Sequence, residues 1–284
     1  MTVVVSGGTG FIGHHVVAEL ERRGVAPVVL SRPGSARASS IAPRHRTLTV
    51  DLHDPSESAI EQIAAADVLI HLAWGGLPQY RSRHHVTDEA PAHFTFLRMA
   101  LESGLKNLVA TGTCYEYGMQ SGSLSEDLEA KPVTAYGLGK DLLRRQLEFL
   151  AADTGIGFTW ARLFYPYGDG QAPTSLWPSL KRAAEAGAAQ FDMSPGAQVR
   201  DFIRVEDVAR HLVSLALGGR GHGIVNICSG DPISVRAIVE RWISENGWSI
   251  ALNQGRFGYP EYEPMSFWGN RDKLQRTLAE LGAG

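Results

Sequence analysis

A glycine-rich turn near the N-terminus constrains the fold of this chain more than any other feature. The segment Gly7-Gly8-Thr9-Gly10-Phe11-Ile12-Gly13 follows a short apolar run, Thr2–Ser6, and precedes an amphipathic one. Its spaced glycines permit a tight turn, a close approach of the backbone to a pyrophosphate and close packing of a helix on a strand. Free N–H groups at the start of that helix would attract the phosphates. The spacing therefore predicts a dinucleotide-binding turn, and the alternative is a glycine-rich turn without a ligand.

The first two-thirds of the chain alternates short apolar runs with longer amphipathic ones. We predict buried strands at Thr2–Ser6, Pro27–Ser31, Thr47–Asp51, Val68–Leu72, Asn107–Thr111 and 157–162. Helices are predicted around 11–23, 55–65, 89–103 and 134–153. Elements in this order form an α/β fold with a doubly wound parallel sheet of the Rossmann type, in which ligands bind at the carboxyl ends of the strands.

The local composition of the sequence changes after Tyr165, where Gly, Pro and Trp become frequent. We therefore predict a dinucleotide-binding domain over residues 1–165 and a smaller, interwoven substrate-binding lobe over 166–284. Segments between 200 and 228 are expected to return from this lobe to the sheet.

Composition argues against several classes of function. The chain has a net charge of -3 and no concentrated basic stretch, which excludes nucleic acid as the expected partner. Two cysteines, Cys114 and Cys228, form neither a disulfide framework nor a zinc cluster and fit a reducing compartment. The N-terminus lacks the pattern of a signal peptide, and no apolar run is long enough to span a bilayer. We expect a cytoplasmic protein with no membrane partner.

Metal and thiol chemistry are not expected either. The histidine pairs His14-His15 and His84-His85 have no acidic or cysteine partners at ligand spacing, so we predict surface positions for them and no metal. Cys114 has no histidine placed by the sequence to activate it, so it is predicted to line a pocket and not to act as a nucleophile.

Two residues at the end of the second predicted strand bear on the choice of cofactor. An acidic residue there would hold the ribose 2′-hydroxyl of NAD, but the chain has Ser31-Arg32. A hydroxyl and a guanidinium suit a 2′-phosphate, with Arg37 near enough to assist, so NADP(H) is preferred and NAD(H) is the second choice. The alternative is that Arg32 is only a solvated loop cation. Asp51, which ends the third strand, would either meet the adenine or cap a turn.

Tyr136 and Lys140 lie four residues apart in a predicted helix and would project from one face. A nearby ammonium favours the phenolate, so it is expected to lower the pKa of Tyr136 and let the phenol exchange a proton with a carbonyl or hydroxyl. The lysine can also hold the ribose of a cofactor. Thr113, with Thr111 as the fallback, would orient a substrate oxygen toward Tyr136. The alternative for the pair is an exposed helix surface.

These segments together resemble the extended short-chain dehydrogenase/reductases that act on nucleotide sugars, over almost the whole chain. The anchors are the glycine turn, His71-Leu72-Ala73, Thr113 with Tyr117-Gly118, Tyr136 with Lys140, Arg162–Gly168 and Arg200–Ala209. The resemblance implies a nucleotide-diphosphate sugar as substrate, with Arg200 on its diphosphate, and a homodimer formed through the helices at about 89–103 and 134–153. The alternative for Arg200 is an ion pair with Asp201 or Asp207.

Three departures from the patterns of this family narrow the range of reactions that the chain is expected to catalyse. Cys114 and Tyr115 stand where sugar 4,6-dehydratases carry Asp-Glu, so the acid that dehydration needs is missing. Cys114 lies one residue after Thr113, whereas the reductases that first epimerise a GDP-sugar carry a cysteine two residues after the catalytic serine. Tyr165 replaces the asparagine of many 4-epimerases.

Three longer segments resemble the reductases of nucleotide-activated 4-keto-6-deoxyhexoses, of which the dTDP-4-dehydro-6-deoxyglucose reductases (dTDP-fucose synthases) are the nearest match. They are His71–Tyr80, Thr111–Gln120 and Glu263–Gly269. This resemblance implies reduction of the C4 ketone by NADPH, with Tyr136 as proton donor. The alternatives are an NAD-dependent nucleotide-sugar 4-epimerase and a dinucleotide sensor without catalytic activity.

The predicted site residues fall into two groups. Those expected at the cofactor are Gly7, Thr9, Gly10, Phe11, Ile12, Gly13, Ser31, Arg32, Asp51, Leu52, Leu72, Ala73, Thr111, Tyr136, Lys140 and Phe164. Those expected at the substrate are Trp74, Tyr80, Thr113, Tyr165 and Arg200. For the two aromatic residues that follow the fourth strand, Trp74 and Tyr80, the alternative is ordinary packing in a loop or core.

Overall fold

A computed structural model describes residues 1–34 and 45–283 of the chain, and the predicted assisting residue Arg37 lies outside this part. The strands are β1 (Val3–Ser6), β2 (Val28–Ser31), β3 (Arg46–Thr49), β4 (Val68–His71), β5 (Asn107–Thr113), β6 (Gly122–Leu124), β7 (Gly157–Leu163), β8 (Tyr165–Tyr167), β9 (Gln190–Asp192), β10 (Val199–Arg204), β11 (Gly223–Ile227), β12 (Pro232–Ser234), β13 (Ala251–Asn253) and β14 (Phe267–Gly269).

The α-helices of the described ranges are α1 (Phe11–Arg22), α2 (Glu57–Ala64), α3 (Ala90–Glu102), α4 (Ala135–Thr154), α5 (Leu176–Glu185), α6 (Val205–Leu217), α7 (Val235–Asn246) and α8 (Asp272–Glu280). A π-helical turn, His85–Glu89, leads into α3, and a 3₁₀ turn, Cys114–Tyr117, follows β5.

Seven strands form one parallel sheet in the order β3-β2-β1-β4-β5-β7-β11. The chain order reverses between β1 and β4, so the connections after these strands diverge and leave a crevice at the carboxyl edge of the sheet. The Rossmann-type α/β fold predicted from the sequence is confirmed, and each predicted strand and helix has a counterpart at nearly the predicted bounds.

The strands of this sheet are apolar because helices cover both of its faces. Val3, Val4 and Val5 of β1 are at most 2% exposed. Val3 and Val5 belong to the core under α1 and α6, whereas Val4 belongs to the opposite core under α2, α3 and α4. Successive side chains of a strand point to opposite faces, so each strand contributes to both cores.

A separate core lies in the C-terminal part of the chain. Leu180 of α5, Phe191 of β9 and Trp242 of α7 pack together there, and β8, β10 and β12 form a small sheet nearby. The strand β11 instead extends the large sheet beside β7. The division into two domains at residue 165 stays a prediction.

Candidate active site

The glycine turn closes at the carboxyl end of β1, against the segment that follows β4. Gly7 has a φ of +69°, and a Cβ there would lie 2.7 Å from the backbone N of Ala73. A Cβ on Gly13 would lie 2.0 Å from the carbonyl oxygen of Gly7, so α1 can approach the turn this closely only with glycine at that position. Gly10 caps α1 without a side-chain hydrogen bond. A turn built from bare backbone beside a helix N-terminus fits a pyrophosphate.

The remaining residues predicted at this turn surround it and are partly exposed. They are Thr9, Phe11, Ile12, Leu72 and Ala73.

The two residues predicted at the 2′-phosphate lie where β2 ends. Ser31 is buried, while Arg32 is exposed just beyond it. Asp51 follows β3 and accepts the N–H of His53 at 3.0 Å, so its carboxylate caps a turn. Leu52 is partly buried against the core. The cofactor contacts of these residues stay predictions.

Lys140 is almost completely buried on α4, at 2% exposure. Its ammonium donates to the carbonyl oxygen of Thr111 at 2.8 Å and lies 4.0 Å from the centre of the Trp74 ring. Burial lowers the pKa of Lys140 to about 7, although the carboxylates of Glu116 and Glu89 act in the opposite direction. Lys140 is therefore poised to lose or gain a proton near neutral pH.

Tyr136 lies one helical turn before Lys140, near the start of α4. The hydroxyl of Thr134 accepts the N–H of Gly137 at 3.1 Å and so caps this helix. Burial raises the pKa of the Tyr136 phenol, and a hydrogen bond with Thr113 offsets only part of that rise. The prediction that Lys140 lowers the pKa of Tyr136 is wrong for this structure, because burial dominates and the ammonium is directed to Thr111 and Trp74.

Thr113 is the threonine that faces the phenol. Its hydroxyl lies near enough to Tyr136 to offset part of the rise in the pKa of the phenol, and it accepts the N–H of Tyr115 at 3.3 Å. The hydroxyl of Thr111 instead donates to the carbonyl oxygen of His71 at 3.2 Å. This arrangement favours Thr113 over the fallback Thr111 as the group that orients a substrate.

Glu116 holds Thr113 in place, although it is not among the predicted site residues. Its carboxylate accepts the backbone N–H of Thr113 at 2.8 Å, the indole N–H of Trp160 at 3.0 Å and the guanidinium of Arg162 at 2.7 Å. The signal for it is a carboxylate three residues after a threonine, the pattern of a capping box, which the structure forms around the 3₁₀ turn.

Aromatic rings surround Tyr136. The ring centres of Trp74 and Tyr80, both predicted as pocket walls, lie 6.2 and 5.6 Å from that of Tyr136. Tyr115 stacks on Tyr80 at 4.9 Å, and Tyr262 lies 6.2 Å from Tyr115. Tyr80, Tyr115 and Tyr262 are called the tyrosine wall below. The first two flank the Tyr136 ring, and Tyr262 packs against both of them. Tyr262 carries no local sequence signal, because its contact with Tyr80 depends on the tertiary fold.

Arg200 is held by a residue that was not predicted. It is 2% exposed and donates to Glu263 at 2.7 Å and to the carbonyl oxygen of Val199 at 2.8 Å. Neither alternative partner engages it: Asp201 accepts N–H groups of Ser229 and Gly230, and Asp207 pairs with Arg210. A diphosphate contact by Arg200 stays a prediction, and it would require the guanidinium to exchange its hydrogen bond with Glu263 for one with the phosphate.

Two further predicted residues pack behind the site. Phe164 is 2% exposed and lies in a small apolar cluster with Cys114, Cys228 and Phe267. Tyr165 is adjacent, with its ring centre 5.7 Å from the Arg200 guanidinium. Both thiols are buried, and burial raises the pKa of each, which makes a thiolate nucleophile unfavourable.

The paired histidines make individual contacts. His14 and His15 meet the carbonyl oxygens of Gly10 and Asp169 at 3.0 and 2.9 Å, which fits their predicted surface role. His85, by contrast, is fully buried and meets the carbonyl oxygen of Gln79 at 3.0 Å, so the predicted surface position is wrong for it. Across residues 1–34 and 45–283, no group of three or more histidine, cysteine, aspartate or glutamate residues could hold a metal ion.

Within the same described ranges, every helix is too short or too polar to cross a membrane.

Known proteins resemble this chain over most of its length. The chain is 26% identical over 270 residues to a dTDP-6-deoxy-L-talose 4-dehydrogenase (NAD(+)) of Aggregatibacter actinomycetemcomitans, covering 95% of this chain and 99% of that protein. It is 25% identical over 237 residues to a UDP-glucose 4-epimerase of Lactobacillus helveticus, covering 76% of this chain and 72% of the other. The solved structure of MoeE5 in complex with UDP-glucose and NAD superposes with a TM-score of 0.78 at 26% identity, covering 99% and 92% of the two chains.

The family described as the NAD dependent epimerase/dehydratase family matches residues 3–228, which contain the glycine turn, Thr113, Tyr136, Lys140 and Arg200. The resemblance to extended short-chain dehydrogenase/reductases that act on nucleotide sugars is therefore confirmed. This chain is an enzyme of the NAD dependent epimerase/dehydratase family.

Proposed function

We propose that this enzyme uses NADPH to reduce the C4 ketone of a nucleotide-activated 4-keto-6-deoxyhexose. The observation that supports this most is the convergence of three groups beside the glycine turn. The Thr113 hydroxyl lies near enough to the Tyr136 phenol to offset part of the rise in its pKa, and Lys140 lies buried one helical turn away. A hydroxyl, a phenol and an amine at the carboxyl edge of the sheet are the groups that carbonyl reduction requires.

The residues around the glycine turn would hold the cofactor. The turn Gly7–Gly13 would bind the pyrophosphate, Ser31 and Arg32 the 2′-phosphate, and Lys140 the ribose next to the nicotinamide. When bound, the nicotinamide supplies a hydride to C4. The exposed guanidinium of Arg32 supports NADP(H), because an arginine pairs with a phosphate through two parallel hydrogen bonds.

Tyr136 would donate the proton that balances the hydride. Burial raises the pKa of its phenol, so the group is protonated at neutral pH and can give its proton to the oxygen at C4 as negative charge develops there. Thr113 would orient the carbonyl, because its backbone is fixed by Glu116 and its hydroxyl faces Tyr136. Lys140 would hold the ribose and hence the distance between cofactor and substrate.

The walls of the site support a 6-deoxy sugar. The tyrosine wall offers ring faces that suit the methyl group at C6. Cys114 and Tyr115 provide no carboxylate where a dehydratase would need an acid, and the buried Cys114 thiol stays protonated. Arg200 would bind the diphosphate in exchange for Glu263, since a guanidinium fork suits phosphate as well as carboxylate.

An NAD-dependent 4-epimerase is the second candidate. One relative is named a UDP-glucose 4-epimerase, and MoeE5 was solved with UDP-glucose and NAD. The relative named for a 4-dehydrogenase supports the reductase, because oxidation at C4 of a 6-deoxyhexose is the chemical reverse of the proposed step. The two reactions differ in whether the cofactor is consumed.

We further propose a cytoplasmic homodimer that is paired through α3 and α4. The helix α4 exposes Leu138, Leu142 and Phe149, the last at 82% exposure, and a second copy would cover these side chains.

The test is to mix purified enzyme with NADPH and, separately, with NADH, and to add 4-keto-6-deoxyhexoses linked to dTDP, UDP or GDP. We expect absorbance at 340 nm to fall with at least one sugar nucleotide, faster with NADPH. A second arm supplies the corresponding 4-hydroxy sugar nucleotides without added cofactor. Interconversion of their C4 epimers, together with NAD released on denaturation, would establish the epimerase instead. Cofactor binding without turnover of any sugar nucleotide would support the sensor.

A further inference from the structure

A chain of buried hydrogen bonds runs from the glycine turn to the start of α3. The Ser6 hydroxyl meets His71 Nδ1 at 2.8 Å, His71 Nε2 meets His93 Nδ1 at 2.8 Å, and His93 Nε2 meets Glu89 Oε2 at 3.1 Å. Ser6, His71 and His93 are at most 2% exposed. None of these four residues touches the hydroxyl of Thr113 or Tyr136, and the mechanism above does not use them.

Only one arrangement of protons satisfies this chain. Burial raises the pKa of Glu89, but hydrogen bonds from His93 and Gly75 outweigh it and bring the value to about 2, so the carboxylate only accepts. His93 must then donate from Nε2 and accept at Nδ1, and His71 must do the same toward Ser6. Burial lowers the pKa of both imidazoles, which keeps them neutral. The four residues thus carry a single negative charge, on Glu89.

Ser6 and Glu89, the two ends of this series of hydrogen bonds, hold the segment that contains Trp74. The Ser6 hydroxyl also accepts the N–H groups of Leu72 and Ala73, at 3.2 and 3.4 Å. Glu89 Oε2 accepts the N–H of Gly75 at 2.7 Å. Trp74 lies between these anchors, so its backbone is held on both sides.

The ring of Trp74 is held as firmly as its backbone. Its indole N–H donates to His85 Nδ1 at 3.0 Å, and the ring stacks on His93 with 4.9 Å between centres and 18° between planes. The Lys140 ammonium lies against this ring. The series of hydrogen bonds therefore fixes the position of the Trp74 ring, and this ring in turn contacts Lys140.

We infer that Glu89 is a positioning residue for Lys140: it fixes the Trp74 ring through Gly75 and His93, and its negative charge favours the buried ammonium over the neutral amine. This role rests on the proposed function insofar as Lys140 holds the cofactor ribose. The contacts that carry it belong to the protein alone and are testable without a sugar substrate.

Among residues 1–34 and 45–283, few charged or titratable groups lie around Lys140. Two carboxylates, Glu116 and Glu89, favour its protonated form. The other titratable neighbours are the imidazoles of β4, the π-helical turn and α3, and the phenol one turn earlier on α4. They are His71, His85, His93 and Tyr136. Burial lowers the pKa of each imidazole and raises that of the phenol, so Glu89 is one of only two negative charges that these groups place on Lys140 near neutral pH.

Two substitutions separate the charge of Glu89 from its hydrogen bonds. Glu89→Gln removes the charge, but its amide oxygen can still accept from both Gly75 and His93. Glu89→Ala removes the charge and both bonds. The matched control is Glu102→Gln at the last residue of α3, where an exposed carboxylate pairs with Arg98 at 2.7 Å. His93→Phe keeps a ring beside Trp74 but interrupts the chain, and it serves if Glu89→Ala does not fold.

The first measurement is a carbon-13 NMR titration of the lysine Cε atoms in the enzyme without substrate. The chain has five lysines, at 106, 131, 140, 181 and 273, so a Lys140→Arg spectrum assigns the signal. We expect the Lys140 midpoint to fall by about 0.5–1 pH unit in both Glu89 variants and to stay unchanged in Glu102→Gln. An unchanged midpoint in Glu89→Gln would overturn the role of the charge.

The second measurement is NADPH affinity, from cofactor fluorescence on binding. Glu89→Gln is expected to stay within about twofold of the parent, whereas Glu89→Ala and His93→Phe weaken binding about fivefold or more because the Trp74 segment loosens. Equal affinity in all variants would overturn the positioning role. Neither result depends on sugar turnover, so a failed substrate assay would refute the proposed reaction and leave this inference standing.

Discussion

Glu116 and Arg162 form an ion pair at 2.7 Å in which both side chains are at most 1% exposed. The same carboxylate accepts the backbone N–H of Thr113. The backbone of Thr113, whose hydroxyl faces Tyr136, is thus held in place by a buried ion pair.

We predict that Glu116→Gln lowers the free energy of unfolding by about 3–5 kcal/mol, because the Arg162 guanidinium stays buried without its counter-charge. Urea denaturation monitored by tryptophan fluorescence measures the change. The exposed pair Arg98–Glu102 provides the comparison, and Glu102→Gln should alter stability by less than about 0.5 kcal/mol. Similar losses in the two variants would contradict the structural role of Glu116.

Tyr136→Phe tests the proton donor. We expect kcat to fall by about 10²–10⁴-fold, because the oxygen at C4 loses its acid, while the dissociation constant for NADPH stays within about twofold. Tyr117→Phe is the control, since its buried hydroxyl bonds to Asn226 at 2.8 Å, outside the site. That variant should lose about 1 kcal/mol of stability and keep its kcat. Unimpaired turnover by Tyr136→Phe would refute the assignment.

The lowered pKa of Lys140 makes stability depend on pH. The group titrates near 7 in the folded protein, against 10.5 for an ordinary lysine, so the unfolded chain binds more protons between these values. The contribution of Lys140 to the free energy of unfolding is therefore lowest below pH 7 and rises as the pH increases toward 10.5.

Lys140→Met removes this dependence. Between pH 6.5 and pH 10, wild type should gain about 2–4 kcal/mol of unfolding free energy relative to Lys140→Met. Urea denaturation of both proteins across this range measures the difference, and comparing the two cancels the titration of all other groups. A constant difference between the two proteins would mean that Lys140 is not buried as an easily deprotonated amine.

Arg32→Ala tests the choice of cofactor. We expect the KM for NADPH to rise about tenfold or more while the KM for NADH changes little, because only the former has a 2′-phosphate for the guanidinium. Arg22→Ala, which removes an exposed arginine of α1, is the control and should affect neither. Equal losses with both cofactors would assign Arg32 to a general role in folding or binding.

Much of the fold and half of the site can be predicted from the sequence because their signals are local. The spacing of Gly7, Gly10 and Gly13 predicts the turn directly, and the buried strands appear in the sequence as uninterrupted apolar runs. Tyr136 and Lys140 lie within one helix, where four residues make one turn, so their common face follows from the sequence alone.

The remaining contacts connect distant parts of the chain, and no local pattern marks them. Glu263 lies 63 positions after Arg200, and His93 lies 22 after His71. Tyr262 reaches Tyr80 only because the C-terminal segment folds back over the site. The sequence predicts the shift in the pKa of Tyr136 with the wrong sign for a related reason. The spacing of Lys140 is visible in the sequence, but the depth of burial is a property of the tertiary structure.

The most direct test of the proposed reaction is to supply NADPH that carries two deuterium atoms at C4 of the nicotinamide and to follow the sugar by proton NMR. We predict one deuterium at C4 of the 6-deoxyhexose for each NADPH consumed, and none with Tyr136→Phe on the same timescale. A sugar that keeps its C4 ketone, or one that is reduced at C4 without incorporation of deuterium, would contradict the proposed reaction.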